Sequence, residues 1–159
     1  FLAAFETLFP GFVRAMKSEI KTRLARTRGR NDFGPFDPRA ATDLARRELI
    51  DTAIAARRSW VAAGFGRVVG YGILSKTFFH RDFIELIFVA EDARRTGAGS
   101  ALLGAIEHSV HADRIFTSTN ESNEAMGALL RKQGYKPSGR IENLDGRDTE
   151  LVFVKFLER

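Results

Sequence analysis

The sequence predicts a mixed α/β (α+β) fold, and three observations predict it. Short runs rich in β-branched and aromatic residues come in pairs around tight turns, as in SWVAA and RVVGYGIL across Gly64 to Gly66, which is how antiparallel hairpins read. The run FIELIFV (83–89) is bounded by charges like a mostly buried strand, and after it Leu102, Leu103, Ile106 and Val110 recur at helical spacing. The chain has 159 residues and is 44% apolar, which suits one core and gives no sign of a second.

Taken in order, residues 2–9 read as a short helix or irregular turn ending at Pro10. A helix follows over about Gly11 to Arg26, because Phe12, Met16, Ile20 and Leu24 recur every fourth residue. Thr27 to Pro38 is a loop punctuated by Gly and Pro. Asp37 is placed to cap a second long helix with Pro38 in its first turn and Leu44, Leu49, Ala53 and Ile54 on its apolar side. From Ser59 the first hairpin begins, and a turn around His80 to Asp82 leads into FIELIFV. The closing KPSGRIENLDGRDTELVFVKF reads as two strands joined around Asp145 and Gly146. No persuasive strand is found in the first 57 residues.

The stretch VAEDARRTGAGS (89–100) carries the chemistry. It enters a helix, and a helix start presents unpaired N–H groups and the positive end of the macrodipole. Gly97 and Gly99 would let a phosphate approach that backbone with no Cβ in the way, and Arg94 and Arg95 add mobile positive charge. An anion is the expected guest.

Arg94, Gly97 and Gly99 fall on the fixed positions of an Arg/Gln-x-x-Gly-x-Gly/Ala turn between a strand and a helix. The segment resembles motif A of the GNAT superfamily of acyl-CoA-dependent N-acyltransferases. Val89 stands five residues before the arginine, as is usual there. Downstream, TSTNESNEAMGALLRKQGY (117–135) resembles the superfamily's motif B, with Asn123 and the pair Gly134, Tyr135 matching it. The resemblance covers about residues 58–159. It implies one domain over 1–159, with 1–57 as a helical N-terminal part and 58–159 as the motif-bearing core. It also implies a central, mostly antiparallel sheet, flanked by helices, that splays between the strands at 83–89 and 114–119. Coenzyme A would enter that wedge. Its pyrophosphate would lie over Arg94, Arg95, Thr96, Gly97, Ala98, Gly99 and Ser100, its pantetheine arm beside the main chain of Ile87, Phe88 and Val89, with Asn123 nearby. GNAT domains begin with a strand; its absence here reads as a trimmed start, in keeping with Phe1 in place of Met, or as a subgroup that lacks it.

The resemblance implies direct transfer of an acetyl group from acetyl-CoA, as co-substrate, to a primary amine in a ternary complex. The amine must attack neutral, so its proton needs an acceptor. Glu85 is the candidate base, because apolar Phe83, Ile84, Leu86, Ile87 and Phe88 surround it in sequence and enclosure would raise its pKa. The alternative is a structural Glu85 paired to Arg or Lys across the sheet. Glu142 and Glu150 are the weaker alternatives for that base and read rather as cross-strand charges. Relatives carry a tyrosine, the general acid, four residues before the motif B glycine, where this chain has Leu130. A thiolate of pKa roughly 8.5 leaves without a dedicated acid, so that role is unassigned. Phe33, Phe36, Phe78 and Phe79 are candidates to wall an apolar acceptor, or else packing.

With no cysteine, disulfides, thiolate metal sites and a cysteine nucleophile are excluded. His108 and His111 lie a turn apart without a convincing third ligand, so no metal is expected. Ser100, Ser118 and Ser122 have no His and Asp to activate them. No apolar run approaches the ~18 residues of a membrane span, and a soluble, cytoplasmic protein is expected. Net charge is +5, and Arg14, Lys17, Lys21, Arg23, Arg26, Arg28 and Arg30 stand against Glu19 alone in one segment. That segment reads as the solvated face of a docked helix; without interleaved aromatics, nucleic acid is not the expected partner. The expected partner is a small-molecule or peptide amine, and a homodimer is left open. The alternative function is a CoA-sensing or nucleic-acid-associated module using the basic segment without turnover.

Overall fold

The structure, a computed structural model, describes residues 19–26 and 37–158. The helix expected over 2–9, most of the helix expected over 11–26 with its basic face, and loop residues 27–36 lie outside these. Where the second of those helices is described, it is a strand. Strand β1 (Lys21–Leu24) pairs antiparallel with β2 (Ser59–Gly64), Leu24 opposite Trp60. Burial alternates along β1, and Ile20 and Leu24 pack against the core. Residues four apart share a side of a helix, but they also share a face of a strand, whose period is two. The expectation of no strand before residue 57 is therefore corrected.

Asp37 caps as expected. Its carboxylate accepts from the Arg39 N–H, and Pro38 opens α1 (Pro38–Thr42). The one long helix expected beyond it is divided, because Asp43 sits extended at φ −103° and its carboxylate accepts from the Arg46 N–H to start α2 (Leu44–Ala55). Restarting re-aims the apolar side: Ile50, Ala53 and Ile54 are buried, whereas Leu44 is 68% exposed.

The predicted hairpins form. β2 turns through Phe65 and Gly66 into β3 (Arg67–Phe78), which returns through Phe79 and His80 into β4 (Arg81–Val89). Then come α3 (Ala98–Ser109), β5 (Arg114–Asn120), α4 (Glu124–Lys132), β6 (Lys136–Asp145) and β7 (Asp148–Phe156). Seven strands form one sheet in the order β1-β2-β3-β4-β5-β7-β6, antiparallel except for the pair β4–β5.

Each face of the sheet has its own core. On one, Leu102, Leu103 and Ile106 of α3 pack on Val69, Ile84, Ile115 and Phe153. On the other, Ile50, Ala53 and Ile54 of α2 pack on Val61, Tyr71 and Ile73. A Cβ on Gly72 would stand 2.8 Å from an Ile106 methyl, so that glycine lets α3 lie close on β3. Among the described residues no helix is long and apolar enough to cross a membrane.

Candidate active site

The parallel pair in the middle of the sheet is short. Phe83 faces Phe116 and Ile84 faces Thr117, and the Thr117 hydroxyl donates to the Ile84 carbonyl at 2.9 Å. Beyond this point the strands part, while β4 stays paired to β3 as far as Val89 and β5 to β7 as far as Asn120. The result is the expected fork, closed at Ile84 and Thr117 and open toward Val89 and Asn120. The Ala90 N–H donates to the Val69 carbonyl on β3 at 2.8 Å. Alternation along the strand then turns the main-chain groups of Ile87 and Val89 into the fork and those of Phe88 toward β3.

Helices α3 and α4 both start at the open end, since each follows a strand that bounds the fork. At α3 the capping residue is Gly97, left-handed at φ 94°, with no side-chain cap and no acidic residue in the first turn. The first intrahelical bond runs from the Ala101 N–H to the Gly97 carbonyl at 2.9 Å, so the N–H groups of Ala98, Gly99 and Ser100 precede the ladder. Arg95 is left-handed too, at φ 65°, and such changes of hand gather N–H groups into an anion-binding concavity. Arg94 and Arg95 are exposed beside it. The neighbouring Asp92 is taken up by Arg67 at 2.6 Å.

Not every residue of this turn is free to serve a guest. A Cβ on Gly97 would meet nothing, but one on Gly99 would stand 2.9 Å from a Leu129 methyl. Gly99 thus admits α4 against the start of α3, a packing role that sequence reasoning did not assign to it. Ala98 is buried, the Thr96 hydroxyl donates to the Ala93 carbonyl at 2.6 Å, and the Ser100 hydroxyl accepts from Gln133 Nε2 at 3.2 Å. Asn123 caps α4, its side-chain oxygen accepting from the Met126 N–H at 3.2 Å. Asn123→Ala is expected to cost about 1 kcal/mol and lower Tm by about 3 °C; an unchanged Tm in calorimetry would show that the cap contributes nothing.

Glu85 lies one residue past the closed end of the fork. Ile73 faces Leu86 and Leu74 faces Ile84, which leaves Glu85 as the extra residue of a β-bulge. Its side chain is exposed. The expected enclosure is therefore absent, because apolar neighbours along the chain do not cover a side chain that the bulge leaves on the surface. Nor does its carboxylate make an ion pair or hydrogen bond among the described residues, so the cross-sheet pairing is absent as well. Glu142 pairs with Arg140 Nε at 3.2 Å within its own strand, while Glu150 is half-buried opposite Ile141 and Asn120.

Neither tyrosine stands at the position of the missing acid. Leu130 is fully buried in the core. Tyr135 donates to Glu107 at 2.9 Å and Lys155 donates to the other oxygen of that carboxylate at 2.7 Å, tying α3 to β7. Burial first, then the Glu107 charge, pushes the Tyr135 phenol above its ordinary range. On the opposite face Tyr71 donates to Asp37. Phe78 stacks on Phe83 at 4.9 Å and tilts against Phe116 at 5.6 Å near the closed end of the fork, with Phe79 81% exposed at the hairpin turn. Phe33 and Phe36 lie outside the described residues. His108 holds the Gly104 carbonyl at 2.7 Å, and among the described residues no group of three or more His, Cys, Asp or Glu could hold a metal ion.

Two contributors escape sequence reasoning. Thr117 pins the closed end, and Leu129 fills the space that Gly99 leaves. A threonine two residues after Ile115 in an alternating strand is a signal for the first. The second is visible only once the helices are placed.

The sequence model of the Acetyltransferase (GNAT) family matches residues 26–135. No curated protein sequence matches the chain. Among solved structures, an acetyltransferase of the GNAT family from Bacillus cereus superposes with a TM-score of 0.82 at 29% identity, covering 89% of this chain and 99% of that one. The ribosomal-protein-S18-alanine N-acetyltransferase of Escherichia coli superposes with a TM-score of 0.73 at 17% identity, over 89% of this chain and 96% of that one. A Bacillus anthracis protein crystallised in complex with acetyl coenzyme A superposes with a TM-score of 0.58 at 19% identity, over 63% of this chain and 62% of that one.

Proposed function

The chain belongs to the GNAT acetyltransferase family, and from that premise we propose that it moves an acetyl group from acetyl-CoA to a primary amine by direct attack in a ternary complex. The observation that carries this reading is the fork. A free main-chain edge at Ile87 and Val89 leads straight to the uncapped start of α3.

In this reading the N–H groups of Ala98, Gly99 and Ser100 hold the pyrophosphate, with Gly97 leaving the approach clear and Arg94, Arg95 and Thr96 around it. The edge of Ile87 to Val89 lies along the pantetheine arm, and Asn123 stands at the open end. Acetyl-CoA supplies an activated thioester. Glu85, exposed just past the closed end, takes the proton from the attacking nitrogen directly or through a water, while an N–H on the free edge steadies the carbonyl oxygen. With leucine at position 130, solvent protonates the departing thiolate. A cytoplasmic setting and an acceptor that is a small molecule or a peptide amine go with this reading.

The test is a screen of amines with acetyl-CoA, scored by free thiol. Since only the neutral amine attacks, kcat/KM for an α-amine should level off near pH ~8 and for a lysine side chain keep rising toward pH ~10. Thiol release that ignores the amine would reject transfer. The buried Leu130 favours a second reading, a module that binds acetyl-CoA without turnover; CoA binding with no thiol release from any amine would select it.

A further inference from the structure

A polar cluster buried on the face of the sheet opposite α3 has no part in the chemistry above. The side chain of Asp37 is fully buried and that of Arg46 is 15% exposed; Tyr71 is fully buried. Arg46 Nε and Nη2 donate to Asp37 Oδ2 at 3.2 and 3.1 Å, the Tyr71 hydroxyl donates to the same oxygen at 2.5 Å, and Arg46 Nε also reaches the Tyr71 hydroxyl at 3.0 Å. Asp37 Oδ1 is taken by the Arg39 N–H at 3.0 Å, which makes the same carboxylate the cap of α1.

The cluster is also packed against the fork. Tyr71 lies directly opposite Phe88 in the β3–β4 register. The Arg46 guanidinium sits 5.8 Å from the Phe88 ring and 5.9 Å from the Tyr71 ring. Phe88 is the residue between Ile87 and Val89, the two whose main chain faces the fork. One arginine therefore touches both the start of the helical layer and the strand that walls the fork.

Stability alone is a poor explanation for such a group. Buried ion pairs forfeit solvation, and apolar residues of similar volume often hold a core equally well. What a fork of N–H donors on one carboxylate supplies is a fixed orientation. We propose that Asp37, Arg46 and Tyr71 are positioning residues that lock α1 and α2 to Phe88 and thereby set the β4 wall of the fork. This rests on the reading above, in which the edge of Ile87 to Val89 lies along the pantetheine arm. Burial, and then the Asp37 hydrogen bond, holds the Tyr71 phenol above its ordinary range, so it stays a donor throughout the working pH range.

The test uses Tyr71→Phe, which removes one hydroxyl and no volume, and Arg46→Lys, which keeps charge but loses the planar fork. Hydrogen exchange should quicken together in residues 38–55 and at the Leu86 and Phe88 amides, which face β3, while 98–109 stays protected. The Kd for acetyl-CoA, measured by calorimetry, should rise about tenfold. Faster exchange confined to 38–55, or an unchanged Kd for acetyl-CoA, would overturn the proposal. If the unaltered protein acetylates no amine, the transferase reading fails by itself, and the exchange of the Leu86 and Phe88 amides still decides whether the lock exists.

Discussion

Substituting glutamine for Glu85 is expected to lower kcat by about 10²- to 10⁴-fold while the affinity for acetyl-CoA changes by less than about twofold. An amide has nearly the carboxylate's shape but accepts no proton at neutral pH. Because the side chain is exposed and unbonded among the described residues, the change should leave the fold intact, within about 0.5 kcal/mol. Any loss of rate then belongs to chemistry. The measurement is kcat by thiol release across pH, with calorimetry of acetyl-CoA binding beside it. An unchanged kcat at every pH removes Glu85 from the proton path and shifts attention to Glu150, on the neighbouring strand pair.

The second large effect is expected at Gly97. Gly97→Val should weaken CoA binding more than about a hundredfold, equal to about 2.7 kcal/mol. Two causes act together there. The φ of 94° suits glycine, and a β-branched residue held at it is strained by about 1–3 kcal/mol. A Cβ at this position meets no protein atom within 4 Å, so the side chain is expected to occupy the space an anion would use. Gly134→Val separates the causes, since Gly134 has φ 87° and follows the far end of α4. Both variants should lower Tm, and only the first should lose CoA in calorimetry. Retained binding by Gly97→Val would place the cofactor somewhere else.

Local chemistry made most of the architecture legible. Asp37 with Pro38, the glycine between β4 and α3, and Asn123 before α4 are each short-range signals, and each element starts where its signal stands. The errors came where a pattern fits two periods or where register decides. Ile20 and Leu24 satisfy a strand as well as a helix, and only the partner strand β2 chooses between them. Asp43 begins a new helix, but in sequence it reads as one more polar residue on a helical surface. The site shows the same division. Gly97 starts the helix after β4, and β4 parts from β5 before Ile87 and Val89, as the resemblance to motif A implied for the fold. The exposure of Glu85 depends on a bulge set by β3, and the function of Gly99 on a leucine 30 residues away. No window around either residue contains that information.

The pairing of β4 with β5 at just two positions has a mechanical consequence. The molecule is close to two half-sheets stitched by a narrow seam, with Thr117 as the last stitch. A ligand whose arm carries amide groups can lie in the gap as a surrogate strand and complete the ladder that the polypeptide leaves unfinished. In the reading proposed above, seating the donor and closing the sheet would then be one event.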